Sequence, residues 1–482
     1  MYAGNVPTLF SRQEGDSMSC AENLAAFVCR SAYEDLSDAT RQQLKIRVLD
    51  ALGCAAGALE GEPIHLIREY IDEFEPAGKC GLFGGGSAPP DSAALYNGAL
   101  VRYLDFNDAY LAKGETCHPS DNVAAILAGA EYADRMGREA MTALAVAYQV
   151  QCRLSDVAPV RDKGFDHTTQ GSFSIAAGVS KILGLDERRT ANAVAICGTA
   201  FNALRVTRTG HLSHWKGLAF PNTGACCTRA VFLARNGITG PLEVCEGDKG
   251  FMDAIAGVFD IDWLREDLER VKRTILKRYN AEIHSQSAIQ GVLDLKQRHN
   301  FRPEQIEKVN IETFDVAFNI IGGGEEGDKT ESINTKERAD HSLPYILAVA
   351  ILDGDVMPAQ YEEARIRRSD VQQLLRRVIV RKNPAYSQRF PEEMPCRIEV
   401  LLRNGQKFDR ESRDYPGFLS QPMDWEMICK KFNVLAEPHT TAAQRQAIID
   451  AVANLETTRI RDLTQLMSNL HAQSNAGAKQ YA

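Results

Sequence analysis

The polar segment 104–122 holds the residues of this chain whose types and spacing are best suited to chemistry. It begins with carboxylates at Asp105 and Asp108 and ends with an imidazole at His118. Ala-rich sequences on both sides predict two helices, so the segment should be the loop between them. Loops held by rigid elements commonly carry catalytic groups. The segment therefore predicts the edge of an active site.

The same segment also allows a purely structural interpretation. Asp105, Asn107 and Asp108 could cap helix ends, because short polar side chains accept hydrogen bonds from free backbone amides. His118 and the following proline could form a turn. The loop alone leaves both interpretations open.

Further polar clusters lie in otherwise apolar or small-residue sequence. One places His167 just before a predicted helix, whose N-terminal amides favour anions. Another, 205–216, contains five basic or potentially basic groups, including His211. The clusters share imidazoles and carboxylates for proton transfer, and Arg or Lys for anion binding. The candidates they contribute are His167, Arg205, Arg208, Lys216, Lys277, Glu282, His284 and His341.

These clusters also have ordinary alternatives. Arg205 and Arg208 could lie on one solvated helix face, and His341 could cap a helix. A metal site is a further alternative, although no HxxxH or HxH pair supports it. Its candidate ligands are Asp105, Asp108, His118 and His167.

Composition narrows the function classes. The chain has 482 residues, is 44% hydrophobic and carries a formal charge of −9, which argues against a nucleic-acid surface. No apolar run is long enough to span a bilayer, and the N-terminus lacks the apolar region of a signal peptide. The twelve scattered cysteines are typical of buried thiols in a reducing compartment. We therefore expect a cytoplasmic protein that contacts neither membrane nor nucleic acid.

The hydrophobic pattern predicts a mainly α fold, with a large multihelical domain and a smaller α+β lid domain. Predicted helices include one at 224–236, and predicted strands lie at 306–312, 378–381, 396–402 and 407–412. The expected units are a flexible leader at 1–18, a helical domain at 19–269, the lid domain at 270–415, and C-terminal helices at 416–482 that pack back on the helical domain.

Several motifs, taken in order along the chain, resemble the MmgE/PrpD family over residues 21–470. This family includes 2-methylcitrate dehydratase, an enzyme of propionate catabolism, as well as cis-aconitate decarboxylase and iminodisuccinate epimerase. The motifs are Leu49-Asp-Ala-Leu-Gly-Cys, Tyr96-Asn-Gly-Ala, Leu104-Asp-Phe-Asn-Asp, His118-Pro-Ser-Asp-Asn, Asp166-His167, Lys216, Ala281-Glu-Ile-His-Ser-Gln and Ala339-Asp-His.

The resemblance implies a helical N-terminal family domain with an α+β lid as C-terminal family domain, a homodimer, and catalysis without a metal or other cofactor. Arg205, Arg208 and the Ala281–Gln286 motif match the dehydratase-like members. Lys277-Arg278 matches the decarboxylase-like pattern, whereas Ala109 and Glu282 depart from it. Segment 109–116 fits neither group.

We therefore predict a hydro-lyase that removes water from a citrate- or 2-methylcitrate-like 2-hydroxy tricarboxylate. Decarboxylation of cis-aconitate and epimerisation of a dicarboxylate such as iminodisuccinate are the enzymatic alternatives. A helical anion-binding protein without turnover is the alternative from another class. The predicted catalytic residues are Asp105, His118, His167, Lys216, Lys277 and His284, and the predicted substrate-binding residues are Asp108, Arg205, Arg208, Glu282 and His341. Asp105 would act as the base or orient one.

Overall fold

A computed structural model describes residues 18–210, 212–325, 327–331 and 333–471 of the chain. The predicted leader lies outside these residues except for Met18, and His211 also lies outside them. No helix in the described part combines the length and the apolar character needed to cross a membrane.

The N-terminal half folds into helices that bury one large apolar core. Helix starts follow local capping, since Ser37 accepts a hydrogen bond from the Thr40 amide and Asp186 accepts one from the Arg189 amide. The helices are α1 (Cys20–Arg30), α2 (Asp38–Gly57), α3 (Glu62–Phe74), α4 (Pro90–Tyr103), α5 (Val123–Tyr132), α6 (Gly137–Val157), α7 (Thr168–Leu183), α8 (Glu187–Ala200) and α9 (Trp215–Arg235).

The start predicted for the ninth helix was wrong. The sequence predicts a helix over 224–236, whereas α9 begins at Trp215 and contains Pro221 in its interior. A proline removes one helical hydrogen bond and normally favours a break. Here α9 packs along α4, α7 and α8, and this tertiary packing stabilises the helix through the proline. Lys216 therefore lies in the first turn of a long helix.

The polar segment between α4 and α5 contains a small antiparallel hairpin. Strand β3 (Tyr110–Ala112) pairs with β4 (Glu115–Cys117), after an earlier two-stranded pair of β1 (Cys80–Gly81) and β2 (Ser87–Ala88). Ala109 and Ile275 exchange backbone hydrogen bonds of 2.9 and 2.8 Å. This bridge places the loop beside the start of the second domain.

The second domain has its own apolar core between a four-stranded sheet and several helices. Its helices are α10 (Gln286–His299), α11 (Asp315–Ile321), α12 (Lys336–Ala339), α13 (Leu343–Asp353), α14 (Glu363–Ile366), α15 (Ser369–Leu375) and α16 (Pro384–Ser387). Its strands are β5 (Ile306–Thr313), β6 (Val378–Lys382), β7 (Cys396–Leu402) and β8 (Lys407–Ser412). The strand order is β6-β5-β7-β8, in which β5 pairs parallel to β6 and antiparallel to β7. The predicted fold class is confirmed.

The C-terminal helices α17 (Trp425–Ala436), α18 (Ala442–Ala453) and α19 (Ile460–Ser468) return to the first domain and share its core. On α17, Lys431 forms an ion pair of 2.7 Å with the buried Asp50 of α2. Its Nζ also donates to the backbone carbonyls of Phe106, at 2.7 Å, and Lys277, at 3.1 Å. One buried amino group therefore joins α2, α17, the polar loop and the second domain.

Lys431→Met should destabilise the protein by about 3–5 kcal/mol, because it leaves the Asp50 carboxylate buried without its partner. Urea unfolding followed by circular dichroism measures the change. Lys430→Met is the matched control, since the neighbouring Lys430 is exposed and pairs with Glu426 at the surface. Equal unfolding midpoints for the two variants would contradict this role of Lys431.

Candidate active site

Asp105 occupies a constrained position at the end of α4. Its φ is +55°, an unusual conformation for a residue with a side chain, which persists only when its surroundings enforce it. Arg102 donates to Oδ1 at 2.6 Å. Lys277 Nζ lies 2.6 Å from both Oδ1 and the backbone oxygen. Two buried cations therefore fix this backbone and side chain together.

The same cations set the charge of Asp105. Burial alone would raise the pKa of this carboxyl, but Arg102 and Lys277 hold the Asp105 pKa well below its usual value. Burial lowers the pKa of Lys277, and the Asp105 charge opposes that shift. Asp105 is thus an ionised anchor for cations and a poor proton acceptor.

His118 is held in one tautomer. Its Nδ1 lies 2.7 Å from the backbone oxygen of Asp108, which requires a proton on Nδ1 and leaves Nε2 as an acceptor in the neutral ring. Burial, reinforced by the charge of Arg102, lowers the pKa of His118 well below 6.5. The ring is therefore neutral near pH 7 and can accept a proton on Nε2.

His167 lies at the N-terminus of α7, beside His118. The two rings meet edge to face with centroids 5.4 Å apart, and Phe220 stacks against the His167 ring with centroids 6.0 Å apart. Both ring nitrogens of His167 are buried and have no hydrogen-bond partner among the described residues. Burial lowers the pKa of His167 to about 3. A buried polar ring without partners is costly unless a ligand or water completes it.

Asp166 lies behind the arginine pair. Arg208 Nε donates to Asp166 Oδ2, and Arg205 Nη1 lies 3.7 Å from the same oxygen. Burial would raise the pKa of Asp166, but Arg208, together with His167 and Arg205, holds the Asp166 pKa below its usual value. Hydrogen bonds from the Arg205 amide to the Gly164 oxygen and from the Asp166 amide to the Ala203 oxygen join the two segments.

Lys216 lies among groups that could otherwise hold a metal ion. The ligand atoms of Asp105, Asp340 and His341 lie within 4.8 Å of one another. Lys216 Nζ is 3.4 Å from Asp105 Oδ2, 2.9 Å from Asp340 Oδ1 and 2.9 Å from His341 Nδ1. The amino group thus supplies positive charge at the position that a metal would need.

Glu282 and His284 form a dyad on the side of the second domain. Glu282 Oε1 lies 2.7 Å from His284 Nδ1, and Oε2 accepts the His284 amide at 2.8 Å. Burial would raise the pKa of Glu282, but the neighbouring His284 lowers it to about 2. His284 Nε2 is buried without a hydrogen-bond partner among the described residues. The dyad orients an imidazole nitrogen that can exchange a proton with a ligand.

These groups surround one small cavity between the two domains, with about 420 Å³ of open space including its mouth. Its described lining includes four Arg or Lys side chains and two carboxylates, which favours an anionic ligand. The predicted residues that line it are Asp105, His118, His167, Arg205, Arg208, Lys277, Glu282, His284 and His341.

Lys216 and Asp108 are absent from this lining. Lys216 contacts the cavity residues Asp105 and His341 from behind. Asp108 is fully buried, where Oδ1 accepts from Ser120 and Oδ2 accepts from Tyr148 at 2.9 Å. Its contacts hold the loop in shape instead of reaching the cavity.

Sequence reasoning missed several charged residues that complete the site. Arg102 precedes Asp105 by three positions on a predicted helix, a spacing that could have indicated an ion pair. Asp166 and Asp340 each adjoin a selected histidine. Arg161 and the uncharged Thr116 also line the cavity; Thr116 lies within the polar segment 104–122, whereas no local sequence signal marks Arg161.

The fold and site define a two-domain, mainly helical protein whose cavity is lined by several histidines and by more Arg and Lys side chains than carboxylates. The chain belongs to the MmgE/PrpD family. The MmgE/PrpD N-terminal domain matches residues 22–264, and the MmgE/PrpD C-terminal domain matches residues 279–457.

Relatives of the chain include proteins of two different names. The chain is 26% identical to 2-methylcitrate dehydratase of Salmonella typhimurium, over 89% of this chain and 92% of that protein. It is 26% identical to the protein of the same name from Cupriavidus necator, over 93% and 96%. It is 23% identical to cis-aconitate decarboxylase of Mus musculus, over 91% of each.

Lys216→Ala should create a metal site, because it removes the amino group and leaves a three-residue ligand set. We expect the variant to retain about one zinc ion per chain after gel filtration, and the wild-type protein to retain far less. Mass spectrometry of the eluted metal measures this. Similar retention by both proteins would contradict the proposed position of the amino group, and the double variant K216A/H341A controls for zinc bound elsewhere.

Proposed function

We propose that the protein is a metal-independent hydro-lyase that converts 2-methylcitrate, or a closely related 2-hydroxy tricarboxylate, to the corresponding alkene. One observation carries this proposal. A neutral His118 and a carboxylate-oriented His284 line the same buried cavity as Arg205, Arg208 and Lys277. Removing a proton next to a carboxylate needs a base, an acid for the leaving hydroxyl and positive charge for the enediolate.

His118 is the proposed base. Its Nε2 takes the α-proton, and the electrons of that C–H bond move into the adjacent carboxylate to form an enediolate. Lys277 and Arg208 stabilise the charge that develops there. Because the ring is already neutral and its other nitrogen is held by a carbonyl, no prior proton loss or reorientation is required.

His284 is the proposed acid. Collapse of the enediolate forms the C=C bond and breaks the C–O bond, while His284 Nε2 gives its proton to the departing hydroxyl, which leaves as water. The Glu282 carboxylate, 2.7 Å from Nδ1, stabilises the positive charge that the ring carries before this transfer. Proton exchange with solvent then resets both imidazoles.

Asp105, Lys216 and His167 support this chemistry. A carboxylate held between Arg102 and Lys277 is too weak a base for the α-proton, so Asp105 orients Lys277. Lys216 adds positive charge through its contacts with Asp105 and His341, without lining the cavity itself. His167 binds the substrate through a ring nitrogen that has no hydrogen-bond partner among the described residues. The proposal includes the homodimer that the family resemblance implies and the cytoplasmic location that the composition and the cysteines favour.

Decarboxylation of cis-aconitate is the second candidate. The name of the mouse relative and the Lys277-Arg278 pair favour it. The same cation cluster would stabilise the carbanion left by loss of CO2. Epimerisation needs the same α-proton removal, followed by return of the proton to the opposite face.

Product analysis by NMR separates these reactions. The protein is incubated with 2-methylcitrate, citrate, cis-aconitate and iminodisuccinate, with and without a chelator. The proposal expects a new alkene and loss of water from 2-methylcitrate, unaffected by the chelator. If the only reaction seen is CO2 release from cis-aconitate, the protein is a decarboxylase. If the only reaction seen is inversion of iminodisuccinate, it is an epimerase. Either result would overturn the hydro-lyase proposal. Binding without any product would indicate an anion-binding protein.

His118→Ala should reduce kcat by about 10²–10⁴-fold, the usual contribution of a positioned base, while the fold is retained. Steady-state kinetics and circular dichroism measure the two effects. His65→Ala is the control, since His65 is half-exposed on α3 and pairs with Glu60. Near-wild-type turnover by a folded His118→Ala protein would exclude His118 as the base.

The pH dependence of kcat should reflect the lowered pKa of His118. Its base form is present above that pKa, so activity should hold as the pH falls through about 6.5, the ordinary histidine value, and decline only below it. The Glu282 pKa of about 2 keeps that carboxylate ionised over the same range. Initial rates measured across a series of pH values test this expectation. A fall in kcat centred at or above pH 6.5 on the acid side would contradict a lowered His118 pKa.

A further inference from the structure

Arg161 lies at the mouth of the site cavity. It begins a short turn, Arg161–Lys163, between α6 and α7. Together with Arg205 and Ile320 it lines both the buried cavity and a wider outer groove of about 1610 Å³ of open space. A ligand that entered from the groove would pass its side chain.

The guanidinium of Arg161 differs from the other buried or half-buried arginines at the site. Arg102 is paired with Asp105, and Arg208 is paired with Asp166. Within the described part of the chain, the Arg161 side chain makes no ion pair or hydrogen bond. Its planar set of donors is therefore available to a carboxylate of the ligand.

Glu115 fixes the backbone that carries Arg161. This residue of β4 is 2% exposed, and its Oε2 accepts hydrogen bonds from the Val160 and Arg161 amides, both at 3.1 Å. Burial raises the pKa of Glu115, and the charge of Arg161 opposes that shift. A buried carboxylate on two adjacent amides holds the turn in one orientation toward the cavity.

We propose that Arg161 binds the carboxylate farthest from the reacting carbons and thereby selects tricarboxylates over dicarboxylates, with Glu115 as its positioning residue. This inference rests on the proposed function for the nature of the ligand. Arg205, Arg208 and Lys277 hold the carboxylates nearer the histidines. The third carboxylate then extends toward the mouth, where Arg161 pairs with it through two parallel N–H···O bonds.

Lys163 offers a matched control on the same turn. Its Nζ donates to the backbone oxygen of Ala256, and the residue is absent from the lining of both the cavity and the outer groove. Lys163→Met therefore removes one positive charge two residues from Arg161 without removing the proposed contact.

Calorimetric titration tests the contact without requiring turnover. The ligands are propane-1,2,3-tricarboxylate, which has no hydroxyl to lose, and pentanedioate, which lacks the third carboxylate. Arg161→Met should weaken binding of the tricarboxylate by about 10–100-fold, as expected for lost hydrogen bonds between charged groups, and leave pentanedioate within about 2-fold. Lys163→Met should leave both affinities near the wild-type values.

The outcomes separate this inference from the proposed function. Wild-type-like binding of the tricarboxylate by Arg161→Met, or equal losses for both ligands, would overturn the inference while leaving the hydro-lyase proposal intact. If Arg161→Met selectively loses affinity for the tricarboxylate but the wild-type protein turns over no tricarboxylate, the inference is supported and the hydro-lyase proposal is excluded. If neither ligand binds the wild-type protein, both are overturned.

Glu115→Gln tests the positioning role by kinetics. Its amide cannot accept both backbone N–H groups with the strength of a carboxylate, so the turn should loosen. We expect KM for the tricarboxylate to rise about 3–10-fold while kcat changes less than 2-fold, because the contact lies away from the reacting carbons. A parallel loss in kcat would show that Glu115 supports the whole site, and would overturn its proposed role as the positioning residue of Arg161.

Discussion

The buried ion pairs of Asp105 are the interaction on which the rest of the site depends. An anionic substrate needs several cations in one cavity, yet buried cations without counter-charges are costly. Acidic residues behind the cations meet both demands. Asp105 pairs with Arg102 and Lys277, Asp166 with Arg208, and Asp340 with Lys216. The cations are thus held in place before a ligand arrives, which reduces the cost of organising them during binding.

The histidines use a different arrangement. His118 is fixed by a backbone carbonyl and His284 by a carboxylate, so the two rings have different hydrogen-bond partners in one cavity. This difference suits one to accept and the other to donate a proton. Lys216, between Asp105, Asp340 and His341, contributes positive charge to the site through an amino group.

The sequence predicted the components of this site better than their contacts. Helical periodicity predicted the mainly α fold class. Residue types in the polar segments predicted Asp105, His118, Arg205 and Arg208 as site residues. Asp108 looked equivalent to Asp105, but only the fold shows that it bonds to Ser120 and Tyr148. Arg161 carries no local signal, since its position depends on a hydrogen bond to Glu115, 46 residues earlier. Tertiary packing also decided the start of α9, against the local preference of Pro221.

Deuterium incorporation at the α-carbon tests the central claim most directly. The wild-type protein and a folded His118→Gln variant are incubated with 2-methylcitrate in D2O, and the recovered substrate and product are followed by NMR. We expect the wild-type protein to catalyse removal of the α-proton, with solvent deuterium returned to that carbon in the reverse reaction, and the variant to do neither. Exchange at the wild-type rate in the variant would contradict proton removal by His118.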